Sequence, residues 1–225
     1  KFHKKDGYYY IFAPGGGVST GWQTVLRSKN VYGPYERKVA LAQGNTDING
    51  PHQGAWVDTP QGEHWFYHFQ DVGAIGRIVH LQPMEWKNGW PVIGIDKDND
   101  GVGEPVATHR KPNVGGNYPV VTPPESDSFE SNVLGLQWQW HANPMDWWHY
   151  ADEASQKLHL YSVPLPDDYK SLWDVPNLLL QKFPSNDFTA TVKLTFNPSD
   201  AIVGERTGLL VMGMDYGLLS LEKTD

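Results

Sequence analysis

The 225-residue chain contains no cysteine, which excludes disulfide bonds, a thiolate nucleophile and a Cys-ligated zinc site. It also lacks a basic run, because no Lys/Arg cluster is longer than two residues, and the first of them, Lys4-Lys5, is followed at once by Asp6. Together with a formal net charge of −8, this argues against a phosphate backbone as ligand, and we expect no nucleic-acid partner. No stretch approaches the roughly 20 apolar residues of a membrane helix, so we expect no membrane partner.

Aromatic residues are abundant: ten Trp and eleven Tyr carry most of the 13% aromatic share. Both residue types fit the pleated, half-buried surface of a sheet, which favours an all-β fold. They also present flat apolar faces with a polar tip, the shape that stacks on a sugar ring. Because protein cores use them as well, composition alone favours sugar binding only mildly.

Helical periodicity is scarce, and short β-rich runs separated by Gly, Pro, Asn and Asp take its place. The predicted strands of the first half are Tyr8–Ala13, Trp22–Ser28, Arg37–Ala42, Gly54–Asp58, His64–Phe69, Arg77–Gln82 and Pro91–Ile95. The predicted strands of the second half are Gln137–Trp140, Trp148–Ala151, Leu158–Val163, Asn177–Phe183, Phe188–Phe196 and Thr207–Met214.

A weak internal repeat of 55 residues runs through the first half. Its anchors Gly7, Gly21 and Tyr35 recur as Gly62, Gly76 and Trp90. A period near 50 with about four strands per unit is typical of propeller blades. Two blades cannot close a ring and would leave strand edges unpaired, so we expect further blades outside this sequence, most simply before Lys1.

The character of the sequence changes between the two halves. We predict propeller blades over residues 1–95, an ordered linker or strap over 96–125, where polar and then Pro- and Gly-rich residues dominate, and a β-sandwich over 126–225. No closing strand signal precedes Asp225, so the sandwich is predicted to be partial.

Several stretches, in this order, resemble glycoside hydrolase family 43, specifically its multidomain β-xylosidase and α-L-arabinofuranosidase branch. They are Gly7 to Gly17, Arg27 to Glu36, Asn49 to Trp56, Gly76 to Met84 and Gly89 to Pro91. Asp127 to Trp140 resembles the start of the concanavalin-A-like domain that often follows the propeller. The resemblance implies an all-β fold: the last two blades of a five-bladed propeller, with an axial substrate cleft, and then a concanavalin-A-like sandwich.

The resemblance also implies inverting hydrolysis of pentosides from xylan or arabinoxylan by an Asp base, an Asp that tunes the acid, and a Glu acid. All three acids would lie upstream of Lys1, and no carboxylate of this chain matches a catalytic position. Asp58, Asp71 and Glu85 are the in-chain candidates for a catalytic acid, and turn roles are favoured for the two aspartates. We therefore expect this fragment alone to be inactive.

Four residues are predicted to bind substrate: His52, Gln53, Arg77 and Trp22. The resemblance places His52 near the propeller axis, where it would help hold a central ion or water; the alternative is a histidine satisfied by backbone in a tight turn. The Arg77 guanidinium can hold two sugar hydroxyls, or it is a solvated edge arginine or salt-bridge partner. Trp22 fits a subsite wall and a blade core equally well.

No cofactor is required by this chemistry, but calcium is a candidate structural ion. Asp96, Asp98 and Asp100 match the start of a calcium loop. Position twelve of that loop is Ala107, which excludes an EF-hand and leaves either a looser site through Glu104 or a solvated turn.

The expected partners are a pentose-containing oligosaccharide and either the missing N-terminal propeller segment or another copy of the chain. We expect a secreted or periplasmic protein, although no signal peptide is visible in the sequence. Two other functions stay open: a non-catalytic carbohydrate-binding module, and a structural fragment whose edges pair with another copy.

Overall fold

The computed structural model describes residues 1–225 and confirms the all-β prediction. The chain forms two compact units, Lys1–Pro119 and Val120–Asp225. The predicted boundaries between blades, linker and sandwich, at residues 95 and 125, stay predictions. No helix of the chain has both the length and the apolar character needed to cross a bilayer.

The first unit contains two four-stranded antiparallel sheets, each with its strands in chain order, as in propeller blades. The first sheet is made of β1 (Phe2–Lys5), β2 (Tyr8–Gly15), β3 (Trp22–Ser28) and β4 (Glu36–Leu41). The second is made of β5 (His52–Asp58), β6 (His64–Asp71), β7 (Arg77–Lys87) and β8 (Trp90–Ile93), with a 3₁₀ turn at Gly73–Ile75. The 55-residue repeat is thus confirmed as one sheet following another.

Tight hairpin turns join two pairs of neighbouring strands. Asp6 and Gly7 both have positive φ, 48° and 78°, at the β1–β2 hairpin. Asn88 and Gly89, with φ of 53° and 74°, do the same between β7 and β8. Two successive residues with positive φ form the hairpin turn whose twist matches that of the flanking strands, and Asp-Gly and Asn-Gly are its preferred sequences.

A single apolar cluster lies between the two sheets. Its fully buried members are Tyr10, Phe12, Val25, Ala40, Leu41, Phe66, Met84 and Ile93. Trp56 and Trp86 pack against this cluster and against each other, with ring centroids 5.1 Å apart. Trp56 therefore has a packing role in the blades.

A docking segment, defined here as residues 102–106, joins the end of β4 to the chain just after β8. The Gly103 amide donates to the carbonyl of Ala40 at 3.2 Å, and the Ala42 amide donates to the carbonyl of Gly103 at 3.0 Å. On the other side, Ile95 and Glu104 exchange two backbone hydrogen bonds of 2.9 and 3.0 Å. The first part of the predicted linker is therefore attached to the blades.

The second unit contains three two-stranded antiparallel sheets. Its strands are β9 (Gln139–Trp140), β10 (His149–Asp152), β11 (Lys157–Leu160), β12 (Leu179–Leu180), β13 (Arg206–Met212) and β14 (Tyr216–Glu222), paired as β9–β12, β10–β11 and β13–β14. Short 3₁₀ turns lie at Asp146–Trp148 and Leu172–Asp174.

Two expectations for this unit are wrong. Residues 188–196 were predicted as a strand from their alternating pattern, but they form none, because no neighbouring strand pairs with them. Conversely, β14 was not predicted. It pairs with β13 over seven residues through a turn at Gly213–Asp215.

Candidate functional site

His52 begins β5 and is 2% exposed. Its Nδ1 lies 2.8 Å from the carbonyl oxygen of Gly50. Because a carbonyl can only accept, Nδ1 carries the hydrogen, and Nε2 keeps its lone pair in the neutral ring. Nε2 makes no hydrogen bond within the chain, so it is free to accept one from a ligand hydroxyl.

Close packing against Gly21 fixes the other side of the His52 ring. A Cβ on Gly21 would lie 2.7 Å from His52 Cδ2, so only glycine allows the chain to approach the His52 ring this closely. Trp22 follows directly at the start of β3 and is 37% exposed. Its indole lies against Gly15, where a Cβ would come 2.7 Å from Trp22 Nε1.

Gln53 is exposed and has a φ of 55°, which a non-glycine residue rarely adopts. It lies in a β-bulge between His52 and Ala55. Bulges redirect side chains and are frequent beside functional sites.

Arg77 begins β7 and is exposed. Its guanidinium carbon lies 4.5 Å from the ring centroid of Phe69, on β6. The ring of His52 lies 5.4 Å from the same phenyl ring, at an interplanar angle of 48°. The structure thus brings His52 and Arg77 together on one aromatic side chain. Sequence reasoning did not identify Phe69, which carries no motif of its own.

A buried polar network lies next to this group. His68 Nδ1 donates to the carbonyl of Phe69 at 3.0 Å, and its Nε2 accepts from the Gln82 amide at 3.2 Å. The Gln82 side chain also accepts from the Val106 amide at 2.7 Å and donates to the Val106 carbonyl at 3.3 Å. Burial lowers the pKa of His68 to about 4, so the neutral ring that this pattern requires is the stable form at neutral pH.

A second histidine continues the network. The rings of His80 and His68 stack at 5.2 Å and 12°. His80 Nε2 donates to Gln70 Oε1 at 3.0 Å, and burial lowers the pKa of His80. The Gln70 amide donates in turn to the Asp47 carbonyl at 2.9 Å and to Asn49 Oδ1 at 3.0 Å. The loop that leads into His52 is therefore tied to β6.

The three in-chain candidates for a catalytic acid have other contacts. Asp58 Oδ1 lies 2.7 Å from His64 Nδ1, and Glu85 lies 3.8 Å from Lys87. Asp71 is the ladder partner of Arg77 but makes no ion pair with it. Asp58 thus bonds a side chain rather than its own backbone, and none of these carboxylates hydrogen-bonds His52.

The ligand atoms of Asp96, Asp98 and Asp100 lie within 4.8 Å of one another, and each carboxylate accepts a loop amide hydrogen. Glu104 is directed elsewhere, with Lys97 Nζ at 2.7 Å and the Asn45 amide at 3.3 Å. The looser calcium site through Glu104 stays a prediction.

His52 could offer Nε2 to a central ion, because Nδ1 is held by Gly50. No further His, Asp or Glu of the chain forms a three-ligand group with it. A metal there would depend on ligands other than these side chains.

Two family models match the chain. Residues 1–91 match "Glycosyl hydrolases family 43", and residues 126–225 match "Beta xylosidase C-terminal Concanavalin A-like domain". This chain belongs to glycoside hydrolase family 43.

Relatives of this family 43 chain carry β-xylosidase names. It is 49% identical over 201 residues to a protein of Xylanibacter ruminicola named "Putative beta-xylosidase", covering 87% of the chain and 36% of that protein. It is 42% identical over 163 residues to a "Beta-xylosidase" of Formosa agariphila, covering 64% of the chain and 27% of that protein. The chain thus spans about a third of the length of these relatives.

A solved structure of a bifunctional GH43-CE protein from Bacteroides eggerthii superposes with a TM-score of 0.70 at 29% identity. The superposition covers 100% of this chain and 27% of that one.

Proposed function

We propose that this chain is part of a glycoside hydrolase that releases pentose from xylan- or arabinoxylan-derived oligosaccharides with inversion. The observation that carries the proposal is the unused hydrogen-bonding capacity of two neighbouring side chains, His52 and Arg77. The Arg77 side chain makes no hydrogen bond or ion pair within the chain, so its planar fork is free to donate to two adjacent sugar hydroxyls. His52 Nε2 would accept from a third.

Trp22 and Gln53 complete the proposed subsite. The half-exposed indole of Trp22 suits stacking on a sugar ring, and Gln53 places an exposed amide on the bulge beside His52. We propose a pentose-containing oligosaccharide as the ligand. Both the names of the relatives and the family model support this choice.

The catalytic carboxylates are proposed to come from protein sequence other than this chain. In an inverting hydrolase one carboxylic acid protonates the leaving glycosidic oxygen while a carboxylate takes a proton from the water that attacks the anomeric carbon. The two stand roughly 6.5–9.5 Å apart to admit that water. The absence of a carboxylate bonded to His52, and a length of about a third of the relatives, support this assignment.

The second blade has a face on which a further propeller segment would pack. Val57, Tyr67 and Val79 lie on one side of β5, β6 and β7 by the ladder register, and are 38%, 44% and 66% exposed. Apolar side chains grouped on a sheet face favour coverage by another element. We propose the missing N-terminal propeller segment as the partner.

A hybrid protein tests the proposal, with this chain replacing the matching 201 residues of the Xylanibacter ruminicola relative. We expect the hybrid to hydrolyse aryl β-xyloside or aryl α-L-arabinofuranoside, with inversion at the anomeric carbon visible by NMR. Arg77→Lys should lower kcat/KM by roughly tenfold to a hundredfold, because the charge remains but the fork is lost.

Arg37→Lys is the matched control, because Arg37 is another exposed strand arginine that makes no hydrogen bond or ion pair. It should leave kcat/KM unchanged. A folded hybrid that releases neither pentose would refute the substrate class.

A non-catalytic carbohydrate-binding module is the second candidate. The Arg77 guanidinium beside His52 offers free hydrogen-bond donors, and no carboxylate of the chain bonds His52. Both features favour sugar binding without hydrolysis. Calorimetry of the 225-residue chain with xylo-oligosaccharides tests this: a module should release heat that Arg77→Lys reduces, and absence of heat rejects it.

A further inference from the structure

We propose that Phe69 is a positioning residue that holds both Arg77 and His52 in their sugar-binding orientation. The inference rests on the proposed function of those two side chains. Phe69 lies on β6, directly opposite His52 in the β5–β6 ladder, and is 8% exposed.

The register explains why both side chains reach this ring. His52 is the direct cross-strand partner of Phe69, and its ring centroid lies 5.4 Å away. On the other neighbouring strand the direct partner is Val79, two residues from Arg77. Diagonal neighbours in a ladder lie within reach of a long side chain, and the Arg77 guanidinium carbon lies 4.5 Å from the ring centroid. Attraction between the cation and the ring face holds it there.

Phe69 matters because Arg77 has no polar partner. With no hydrogen bond or ion pair in the chain, its flexible side chain is restricted by the stacking on Phe69. Removal of the ring would let the guanidinium sample other rotamers, and a 1 Å misplacement of a substrate-positioning group can cost on the order of a hundredfold in rate.

The ring itself rests on a fixed strand. The carbonyl of Phe69 accepts the His68 Nδ1 hydrogen at 3.0 Å, and His68 is buried and bonded to Gln82. The polar network therefore holds the backbone that carries Phe69. Contact with this fixed ring restricts the side chains of His52 and Arg77.

NMR of the 225-residue chain tests the positioning without any activity. In the wild type, the Arg77 Hε resonance should lie upfield of its value in the urea-denatured chain, because it is held over the ring. Phe69→Met, which keeps much of the apolar volume, should abolish this displacement and move the His52 ring signals. Tyr67→Leu removes a neighbouring aromatic on β6 that makes no aromatic or cation–π contact with His52 or Arg77, and it should change neither signal. A wild-type chain without the upfield displacement overturns the proposal, and this comparison needs no variant to fold.

Kinetics of the hybrid protein supply the second test. Phe69→Met should lower kcat/KM by about tenfold to a hundredfold, and Phe69→Tyr, which keeps the ring, should restore most of it. In an Arg77→Ala background the same Phe69→Met change should cost much less, because coupled residues are non-additive. An equal loss of kcat/KM in both backgrounds would mean that Phe69 has only a structural role. A wild-type hybrid inactive on both pentosides would sink the proposed function, while the NMR result would still decide the role of Phe69.

Discussion

At the scale of single residues, the buried His68 ring links the fold to pH. Its Nε2 must stay unprotonated to accept from Gln82, whose amide is oriented by Val106. A protonated ring would place two donors opposite each other. Rotation of the Gln82 amide would relieve this but break both of its bonds to the docking segment.

This arrangement predicts lower stability in mild acid. The pKa of His68 is about 4 in the fold against a usual 6.5, because burial disfavours the charged ring. Above pH 6.5 both states are neutral and the stability is complete; between pH 6.5 and 4 only the unfolded chain takes up the proton. The free energy of unfolding should therefore fall by up to about 3 kcal/mol across this window.

Urea denaturation of the wild type and of His68→Gln, repeated from pH 7 to 4, measures this effect. Both proteins carry the same carboxylates, so the difference between their pH slopes isolates the contribution of His68. The variant should lose part of the pH slope, and the His68 ring signal should titrate near pH 4 by NMR. An identical slope in both proteins would contradict the prediction.

The buried hydrogen bonds of the Gln23 side chain lead to a second prediction at the residue scale. Its side chain is 1% exposed, donates to the carbonyls of Ala13 and Thr24 at 3.0 and 3.1 Å, and accepts from the Gly54 amide of the second blade at 3.4 Å. Gln23→Leu leaves these buried groups unpaired, which should cost about 1–3 kcal/mol. Denaturation followed through the β2 and β3 amide signals measures this, with exposed Gln61→Leu as the neutral control. Equal stability of the two variants would refute it.

The contacts of His52 show where prediction from sequence stops. Its position at the mouth of a strand follows from the Gly-Pro-His-Gln-Gly motif. Counting along the β5–β6 hairpin from the observed pair Asp58 and His64 would place Gln70 opposite His52. The bulge at Gln53 shifts the register so that Phe69 lies there instead. The bulge depends on a positive φ that the glutamine type does not signal.

At the scale of elements, the docking segment depends on Gly103. A Cβ at this position would run into the carbonyl oxygen of Ile93. Gly103→Ala should therefore detach residues 102–106 and expose four backbone hydrogen bonds, each worth about 1 kcal/mol.

Hydrogen exchange checks this prediction. The amides of Ala42 and Ile95, which donate to the segment, should exchange faster in Gly103→Ala. The control is Gly217→Ala, at a glycine without positive φ where a Cβ meets no atom within 4 Å. Unchanged exchange in the Gly103 variant would show that the segment is not held by these bonds.

Strands in the two units were predictable to different degrees. Blade strands follow each other through short hairpins, so turn residues such as Gly7 and alternating aromatics predict them well. Residues 188–196 have a good strand pattern but no adjacent partner, and pairing cannot be read from one segment alone. For β14 a signal existed: the Gly-Met-Asp sequence after β13 is a turn between two apolar runs.

At the scale of the whole molecule, the second unit exposes many apolar side chains. A shallow apolar groove there lies between residues 190–194 and the β13–β14 hairpin. Leu219 is 81% exposed and Val192 is 58% exposed, far from the burial expected of a finished sandwich. We expect the 225-residue chain to bind the dye ANS and to associate as its concentration rises.

Leu219→Lys should reduce both ANS fluorescence and the sedimenting oligomer. Leu165→Lys, at a residue of the same unit that is 48% exposed but outside the groove, should have little effect. A clean monomer without dye binding at every concentration would contradict this prediction and would also reject pairing with another copy.

The distribution of functional groups is the other whole-molecule feature. His52 and Arg77 supply hydrogen-bonding groups for a sugar, while the acids that would cleave the glycosidic bond are assigned to other sequence. The most direct measurement compares pentose release from aryl β-xyloside and aryl α-L-arabinofuranoside by the 225-residue chain alone and by the hybrid with the relative's remaining sequence. We expect no release by the chain alone and clear release by the hybrid. Pentose release by the purified chain alone would contradict it.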